Sequence, residues 1–336
     1  MAQTLIGFID TVSPLVGEIL VAEAPPGTRV ELLQGTSRAA RLELARRAAV
    51  LMAWAGPISG EEIEASPDLF LVQKTGQGVD NVDLDAATRR GVPVCNGGGA
   101  NAVTVSEFAI LLMLALARRL RTLESDLRNG GWPNFAYRGV SWDLLDKTVG
   151  IVGLGNIGKN VAKRLRGFDC RVLYYDIVRP EPALEERLGV RFAPLDELLR
   201  EADVLTLHVP LDASTHHMIG ARELALLRPG AALINCSRGP VVDEPALIAA
   251  LERGHLAGAA LDVMEQEPID LDNPLLQMPN VVLTPHAAAG TLDCVRRMVR
   301  GAMANVARAL AGQPPLNVQN GVANGVPSSG FRVPRD

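Results

Sequence analysis

Three side chains in the second half of the sequence have the types and positions that chemistry needs: Arg238 in NCSRGPVVDE, Glu267 in LDVMEQEP and His286 in TPHAAAGT. A guanidinium is always charged and forks around two oxygens, so Arg238 suits a carboxylate and the carbonyl beside it. An imidazole gives and takes a proton near neutral pH, which suits His286 for general acid and base work. A carboxylate on its other nitrogen stabilises imidazolium and raises its pKa, the role that falls to Glu267. Together the three suit hydride transfer to a 2-oxo acid, with Arg238 and His286 also binding the substrate. Each follows an apolar run that reads as a strand, and in open α/β sheets such strand ends converge on a ligand crevice.

The element that must position them is KTVGIVGLGNIGKNVAKRLRGFDCRVLYYD, from Lys147 to Asp176. It reads as strand, glycine turn, helix and second strand. Gly153, Gly155 and Gly158 give G-x-G-x-x-G, with Asn156 and Ile157 at the helix amino terminus that would face a pyrophosphate. The first glycine permits the turn, the second lets backbone approach phosphate, and the third brings helix and strand together. Asp176 follows about 20 residues on, where an acid accepts the ribose hydroxyls of NAD and repels the 2′-phosphate of NADP. Arg179, three residues further, could partly accommodate that phosphate, so the expectation is NAD in preference to NADP.

After Asp176, strand and helix patterns alternate up to Val281–Leu283, as in one parallel sheet with crossover helices. Before Lys147 a separate α/β region alternates strands and helices from Leu5 onward. Its sharpest feature is KTGQGVDNVD, where the backbone N–H groups of Gln77 and Gly78 could grip a substrate carboxylate; Lys74 reads either as an anion ligand or as a solvated strand end. The run Gly97-Gly98-Gly99 marks a first linker with a free backbone, and Pro285 to Gly290 a second. Leu292, Val295, Val299, Val306 and Leu310 then mark an amphipathic helix returning to the first domain. The expected fold is α/β in two domains, a discontinuous flavodoxin-like substrate domain and a doubly wound Rossmann NAD domain. The expected boundaries are 1–100 and 285–318 for the first, 101–284 for the second, and 319–336 as a flexible tail.

The stretch Asn101 to Arg121 reads as one long helix, apolar on most faces, covered either by another subunit or by burial between domains. Trp132, Phe135, Tyr137, Arg138 and Trp142 either cap the substrate pocket or pack under a loop. His208 reads as structural, and His216 and His217 as surface residues.

Composition excludes several classes. A net charge of −5 with no basic run argues against nucleic acid. The most apolar segment, Phe108 to Ala117, is ten residues, about half of a bilayer crossing, so no membrane is expected. Cys95, Cys170, Cys236 and Cys294 lack metal-ligand or redox spacing, so no metal is expected and a reduced, cytoplasmic location fits.

In order, the chain carries G-x-G-x-D-N-x-D, N-x-x-G-x-N-A, G-x-G-x-x-G, H-x-P, N-x-x-R-G, D-V-x-x-x-E-P and T-P-H. On these motifs, spanning about residues 50 to 318, it resembles the D-2-hydroxyacid dehydrogenases, and its first domain resembles phosphoglycerate dehydrogenases in particular. The resemblance implies the catalytic roles already given for Arg238, Glu267 and His286. It also implies that Val209, Pro210, Cys236, Ser237 and Asp262 line the nicotinamide half of an NAD site, and that the chain forms a homodimer through the 101–121 region. Three departures stand out: glycine replaces the usual proline in the first linker, Asp146 replaces a glycine before Lys147, and no regulatory domain follows residue 318. Other readings of the same scaffold are an NAD-sensing, corepressor-like binding protein and a formate or phosphite dehydrogenase.

Overall fold

The computed structural model describes residues 3–322; most of the expected tail, 323–336, lies outside the described residues. The described residues divide into two compact units, one of residues 3–101 and 291–322 and one of residues 102–290. The stretch 285–290, expected to travel with the return helix, belongs instead to the second unit.

The first unit is a five-stranded parallel sheet in the order β2-β1-β3-β4-β5. Its strands are β1 (Thr4–Phe8), β2 (Thr28–Leu32), β3 (Val50–Ala53), β4 (Leu71–Lys74) and β5 (Val94–Cys95). The crossover helices are α1 (Pro14–Ala22), α2 (Arg38–Arg47), α3 (Gly60–Ala65) and α4 (Leu84–Arg89). The side chains of Ser13, Ser37, Ser59 and Asp83 cap their amino termini by accepting the backbone N–H of the third residue of each helix. One face of the sheet is closed by a helix from the far end of the chain, Leu292–Leu310, whose Val295, Val299, Met303 and Val306 pack with Ile6, Phe8 and Met52. The segment after it lies along β5. Gln319 N–H donates to Val94 O at 2.8 Å, and Asn320 accepts from Val94 N–H and donates to Val92 O. The start of the expected flexible tail is therefore bound to the sheet edge.

The second unit opens with α5 (Ala102–Ala117) and α6 (Leu120–Arg128). They are not the single helix expected over 101–121: Arg119, at φ 51°, turns the chain through the left-handed region between them. Ten of the sixteen residues of α5 are buried, against α7 (Asn156–Leu165) and the sheet of the same unit, so most of its apolar surface is covered without a second copy. The remaining helices are α8 (Pro182–Leu188), α9 (Leu195–Glu201), α10 (Ala221–Leu226) and α11 (Glu244–Glu252), with Leu292–Leu310 as α12.

Seven parallel strands form the sheet: β6 (Thr148–Val152), β7 (Arg171–Tyr175), β8 (Val190–Phe192), β9 (Val204–Leu207), β10 (Ala231–Asn235), β11 (Leu256–Leu261) and β12 (Val281–Leu283). Their order is β12-β11-β10-β9-β6-β7-β8. The chain runs outward from β6 to one edge, then returns to β9 and runs to the other. The switch point lies between β6 and β9, where doubly wound sheets bind ligands at the carboxyl ends of their strands. The apolar runs of β6, β9 and β10 are buried on both faces, as central parallel strands require.

Candidate active site

The glycine turn leaves β6 at the switch point. Gly153 adopts φ 93°, which an L side chain rarely does, and a Cβ there would also meet His208 O at 2.7 Å. A Cβ on Gly158 would lie 2.1 Å from Gly153 O, so only glycine lets α7 pack against the turn. A Cβ on Gly155 would meet nothing within 4 Å, so the turn is open there, with Asn156 and Ile157 starting α7 behind it. Asp176 follows β7 and lies against the turn: its carboxylate accepts from Leu154 N–H at 2.6 Å and from Val178 N–H at 2.9 Å. An open amino-terminal turn backed by a carboxylate fits a dinucleotide, whose pyrophosphate would take the former and whose ribose hydroxyls the latter.

On the other side of the switch point, β9 leads into His208, Val209 and Pro210. His208 is buried, its Nε2 lies 2.9 Å from Thr206 Oγ1, and burial drives its pKa down to about 3. It is a neutral interior histidine. Val209 is half-buried and Pro210 exposed.

The turn after β10 carries Cys236, Ser237 and Arg238. Asn235 holds it: Oδ1 accepts from both Ser237 N–H (2.9 Å) and Ser237 Oγ–H (2.7 Å), while Nδ2 donates to Arg238 O at 2.9 Å. Arg238 is half-buried and its Nη1 donates to Ser237 O at 2.9 Å. A Cβ on Gly239 would fall 1.7 Å from Met264 O, so glycine at this position lets the Arg238 turn press against the loop that carries Glu267. Cys236 is buried and its thiol is pushed well up by that burial, which leaves it a packing residue and not a nucleophile.

The loops after β11 and β12 are joined through Asp262. Its carboxylate accepts from Thr284 Oγ–H (2.6 Å), Ala287 N–H (2.8 Å) and Ala288 N–H (2.9 Å), and its backbone oxygen accepts from His286 N–H at 2.7 Å. These bonds hold His286 at φ 52°, a left-handed conformation uncommon outside glycine. The imidazole Nδ1 then lies 2.8 Å from Glu267 Oε2, and Glu267 Oε1 accepts from Met264 N–H at 3.2 Å.

The hydrogen bond that His286 donates to Glu267 raises the His286 pKa against burial, while the positive charge of Arg238 opposes the rise and Asp262 assists it. Burial pushes the Glu267 carboxyl up, but the bond to His286, its charge, the Met264 N–H and Arg238 bring it below its ordinary value. With Nδ1 engaged by a carboxylate, Nε2 is the nitrogen left for a substrate.

In the first unit, Gln77 is exposed and Gly78 half-buried on the loop after β4, and among the described residues neither N–H has an acceptor. The adjoining glycine run is not the loose linker its composition suggested. Gly97 N–H donates to Gly76 O at 2.7 Å, Gly98 N–H to Asn96 Oδ1 at 3.0 Å and Gly99 N–H to Gln77 Oε1 at 2.8 Å. A Cβ on Gly97 would lie 2.2 Å from Thr75 O, so glycine here serves close packing. Lys74 is neither solvated nor at a strand surface: it is 1% exposed and donates to Gly56 O at 2.8 Å. His216 and His217 stack at 4.0 Å, and His217 Nε2 lies 2.8 Å from Glu265 Oε1. Trp132 and Phe135 are 79% and 61% exposed, Tyr137 donates to Asp126, and Trp142 packs under α5.

Sequence reasoning overlooked Asn235 and understated Asp262. The signal for Asn235 was in the N-x-x-R-G motif, since Asn side chains cap N–H groups two residues on. Asp262 was marked by D-V-x-x-x-E-P, as a residue that orders the loop or touches nicotinamide, but the partners through which it orders the loop are more than twenty residues away and had no local signal.

Comparison with known proteins agrees with this geometry. The family model described as "D-isomer specific 2-hydroxyacid dehydrogenase, NAD binding domain" matches residues 110–288. A glyoxylate reductase of Korarchaeum cryptofilum is 43% identical over 284 residues, covering 82% of this chain and 83% of that one. A D-3-phosphoglycerate dehydrogenase of Archaeoglobus fulgidus is 38% identical over 297 residues, which is 87% of this chain and 56% of that one. A solved glyoxylate reductase of Paecilomyes thermophila superposes with a TM-score of 0.81 at 31% identity, covering 92% of this chain and 96% of that one. No described helix is long and apolar enough to cross a membrane. The chain belongs to the D-isomer specific 2-hydroxyacid dehydrogenases, NAD-binding oxidoreductases that act on a CH–OH donor.

Proposed function

We propose that the chain reduces a small 2-oxo acid, glyoxylate or a near relative, to its 2-hydroxy acid, with His286 as the proton donor. The observation that carries this reading is the His286–Glu267 pair at 2.8 Å beside the guanidinium of Arg238. NADH, when bound, supplies the hydride. Glu267 favours the protonated form of His286 and fixes its ring, so the proton is presented from Nε2. As the keto oxygen gains negative charge it takes that proton, and in the oxidative direction His286 accepts it back. Arg238 binds the substrate carboxylate with its fork and polarises the carbonyl. In the first unit, the backbone N–H groups of Gln77 and Gly78 on the loop after β4 are of the kind that binds a carboxylate.

On the cofactor side, the turn of Gly153, Gly155, Asn156, Ile157 and Gly158 would hold the pyrophosphate and Asp176 the adenosine ribose, with Val209, Pro210, Cys236, Ser237 and Asp262 as the residues that would hold the nicotinamide end. Glyoxylate is favoured because the relatives that share most of their length with this chain, such as those of Korarchaeum cryptofilum and Thermococcus gammatolerans, carry the name glyoxylate reductase.

The test is a panel of glyoxylate, hydroxypyruvate, a phosphorylated 2-oxo acid and bulkier 2-oxo acids, followed by NADH absorbance. Turnover of the small acids with the highest kcat/KM for glyoxylate supports the reading. Turnover of none, with NADH bound, overturns it in favour of a cofactor-sensing protein. Pairing of two copies through α5 and α6 rests on exposed Leu111, Leu120 and Leu127, and sedimentation at the monomer mass would exclude it.

A further inference from the structure

Arg179 lies three residues beyond Asp176, where a free guanidinium would attract the 2′-phosphate that Asp176 repels. It is held elsewhere. Its Nε and Nη2 donate to the two oxygens of Glu185, at 2.8 and 3.0 Å, a bidentate fork. Glu185 is one turn inside α8 and its side chain is only 13% exposed. The same carboxylate accepts the phenol of Tyr174, whose ring is buried in β7 and meets Phe192 edge-on with centroids 5.5 Å apart. The guanidinium carbon of Arg179 also stands 5.2 Å from the centre of the Phe192 ring. The hydrogen bonds from Arg179 and Tyr174, with the charge of Arg179, hold the Glu185 pKa down to about 2 against burial, so the clamp stays charged through the working range of pH.

We infer that Glu185 is a positioning residue for cofactor choice: by clamping Arg179 against Tyr174 and Phe192, it withholds the cation that would otherwise receive a 2′-phosphate. This rests on the NAD reading of the Asp176 end of the site. Discrimination against NADP then has two parts. Asp176 repels the phosphate directly, and Glu185 removes its counterion. Removing Asp176 alone leaves the second part in place.

The probe is adenosine 2′,5′-bisphosphate, compared with 5′-AMP and with NADH, by calorimetry or fluorescence on the full chain. Asp176→Ala should bind the bisphosphate only slightly better than the parent. Adding Glu185→Gln, which keeps an acceptor for Tyr174 but loses the charge, should tighten bisphosphate binding by a further ~10- to 100-fold, the range of one charge-assisted hydrogen bond. Adding Arg179→Ala should return it to the Asp176→Ala level, while 5′-AMP binding, once lowered by Asp176→Ala, does not change with the added substitutions. Arg179→Ala in the Asp176→Ala background with Glu185 intact should leave bisphosphate binding unchanged, and this arm does not require the Glu185 variant to fold. The inference is overturned if Glu185→Gln gives no gain in a protein that melts as the parent does. It is equally overturned if the gain survives loss of Arg179, or if Arg179→Ala weakens binding while Glu185 is present. A parent that fails to bind NADH overturns the NAD reading itself, and with it the inference; a parent that binds NADH but shows no Glu185 effect overturns the inference alone.

Discussion

Glu267 and Asp176 are carboxylates on the same sheet, on opposite sides of the switch point between β6 and β9, and they are used in different ways. Glu267 is bonded to an imidazole, a partner that gains and loses a proton near neutral pH. Asp176 is bonded to the N–H groups of Leu154 and Val178, which do not titrate. The first pairing makes protonation state depend on a neighbour, and so sets how the site responds to pH. On the proposed reading, the second places a carboxylate where a cofactor's ribose would lie, and so would set which cofactor enters. Substitutions on the two sides should therefore separate cleanly, one set changing turnover and its pH dependence, the other changing cofactor affinity and choice.

The largest effect should come from His286→Asn. Losing a general acid lowers kcat by ~10²- to 10⁴-fold, while NADH affinity, which the other side of the switch point governs, should change little. Steady-state kinetics beside a fluorescence titration of NADH checks both. An equal loss of turnover and cofactor affinity would mean that His286 serves mainly to hold the loop.

Next is Asp262→Ala. The buried carboxylate satisfies three donors in the 284–288 loop, and each buried donor left unpaired costs about 1–3 kcal/mol. With some relaxation and water entry, the loss in unfolding free energy should be ~2–4 kcal/mol, read from urea denaturation. Asp262→Asn keeps one acceptor oxygen and should cost less. A loss confined to activity, with stability intact, would assign Asp262 to the nicotinamide contact alone.

The difference between Asp262 and its neighbours also shows what the sequence could and could not display. The β6–α7–β7 unit was legible because its signals are local: an apolar strand, three glycines at fixed spacing, a helix and an acid. Helix α12 was legible from the spacing of Leu292, Val295, Val299, Val306 and Leu310. Helix α3, six residues long, the edge strand β2, with mixed exposure, and the two-residue β5 offered too little periodicity to read. Helix α1 was also passed over, although Ser13 caps it and proline begins it. The break at Arg119 was hidden because a non-glycine residue makes the left-handed turn. Gly97-Gly98-Gly99 was read in part: Gly98 and Gly99 do take the left-handed backbone that glycine permits, but Gly97 serves close approach to Thr75 O, and the N–H groups are tied down. Motifs placed Arg238, Glu267 and His286 at strand ends, but the bonds that shape their loops run between distant residues and appear only once the chain is folded.

Glu267→Gln should have a smaller effect with a distinct signature. With His286 in its proposed role as proton donor, kcat/KM for reduction should fall as pH rises through the His286 pKa, which Glu267 holds above its ordinary value of 6.5. Without that carboxylate, burial and Arg238 both push the pKa down, and the falling limb should move to lower pH. The same pair contributes to stability. The share expressed through His286 is fully present below 6.5 and is lost as pH rises through the raised folded value. The share expressed through Glu267 is present above 4.5 and is lost as pH falls through the lowered folded value. Glu267→Gln should therefore flatten the dependence of stability on pH as well as shift the kinetic limb. A limb that stays in place would mean that another group sets the protonation of His286.

Asp176→Ala should give the smallest effect on turnover and the clearest one on cofactor choice. Removing the carboxylate takes away the acceptor for the ribose hydroxyls, so NADH affinity should fall by about tenfold, roughly the worth of one charge-assisted hydrogen bond. It also leaves Leu154 N–H and Val178 N–H without their acceptor, so the turn itself should loosen slightly. NADPH affinity should rise only a few-fold, because repulsion is relieved while Arg179 remains forked on Glu185. The ratio of the two affinities, measured by titration at one ionic strength, reads the charge at this end of the site without involving His286. An unchanged ratio would assign Asp176 to shaping the turn through Leu154 N–H, and charge selection would then have to lie elsewhere on the sheet.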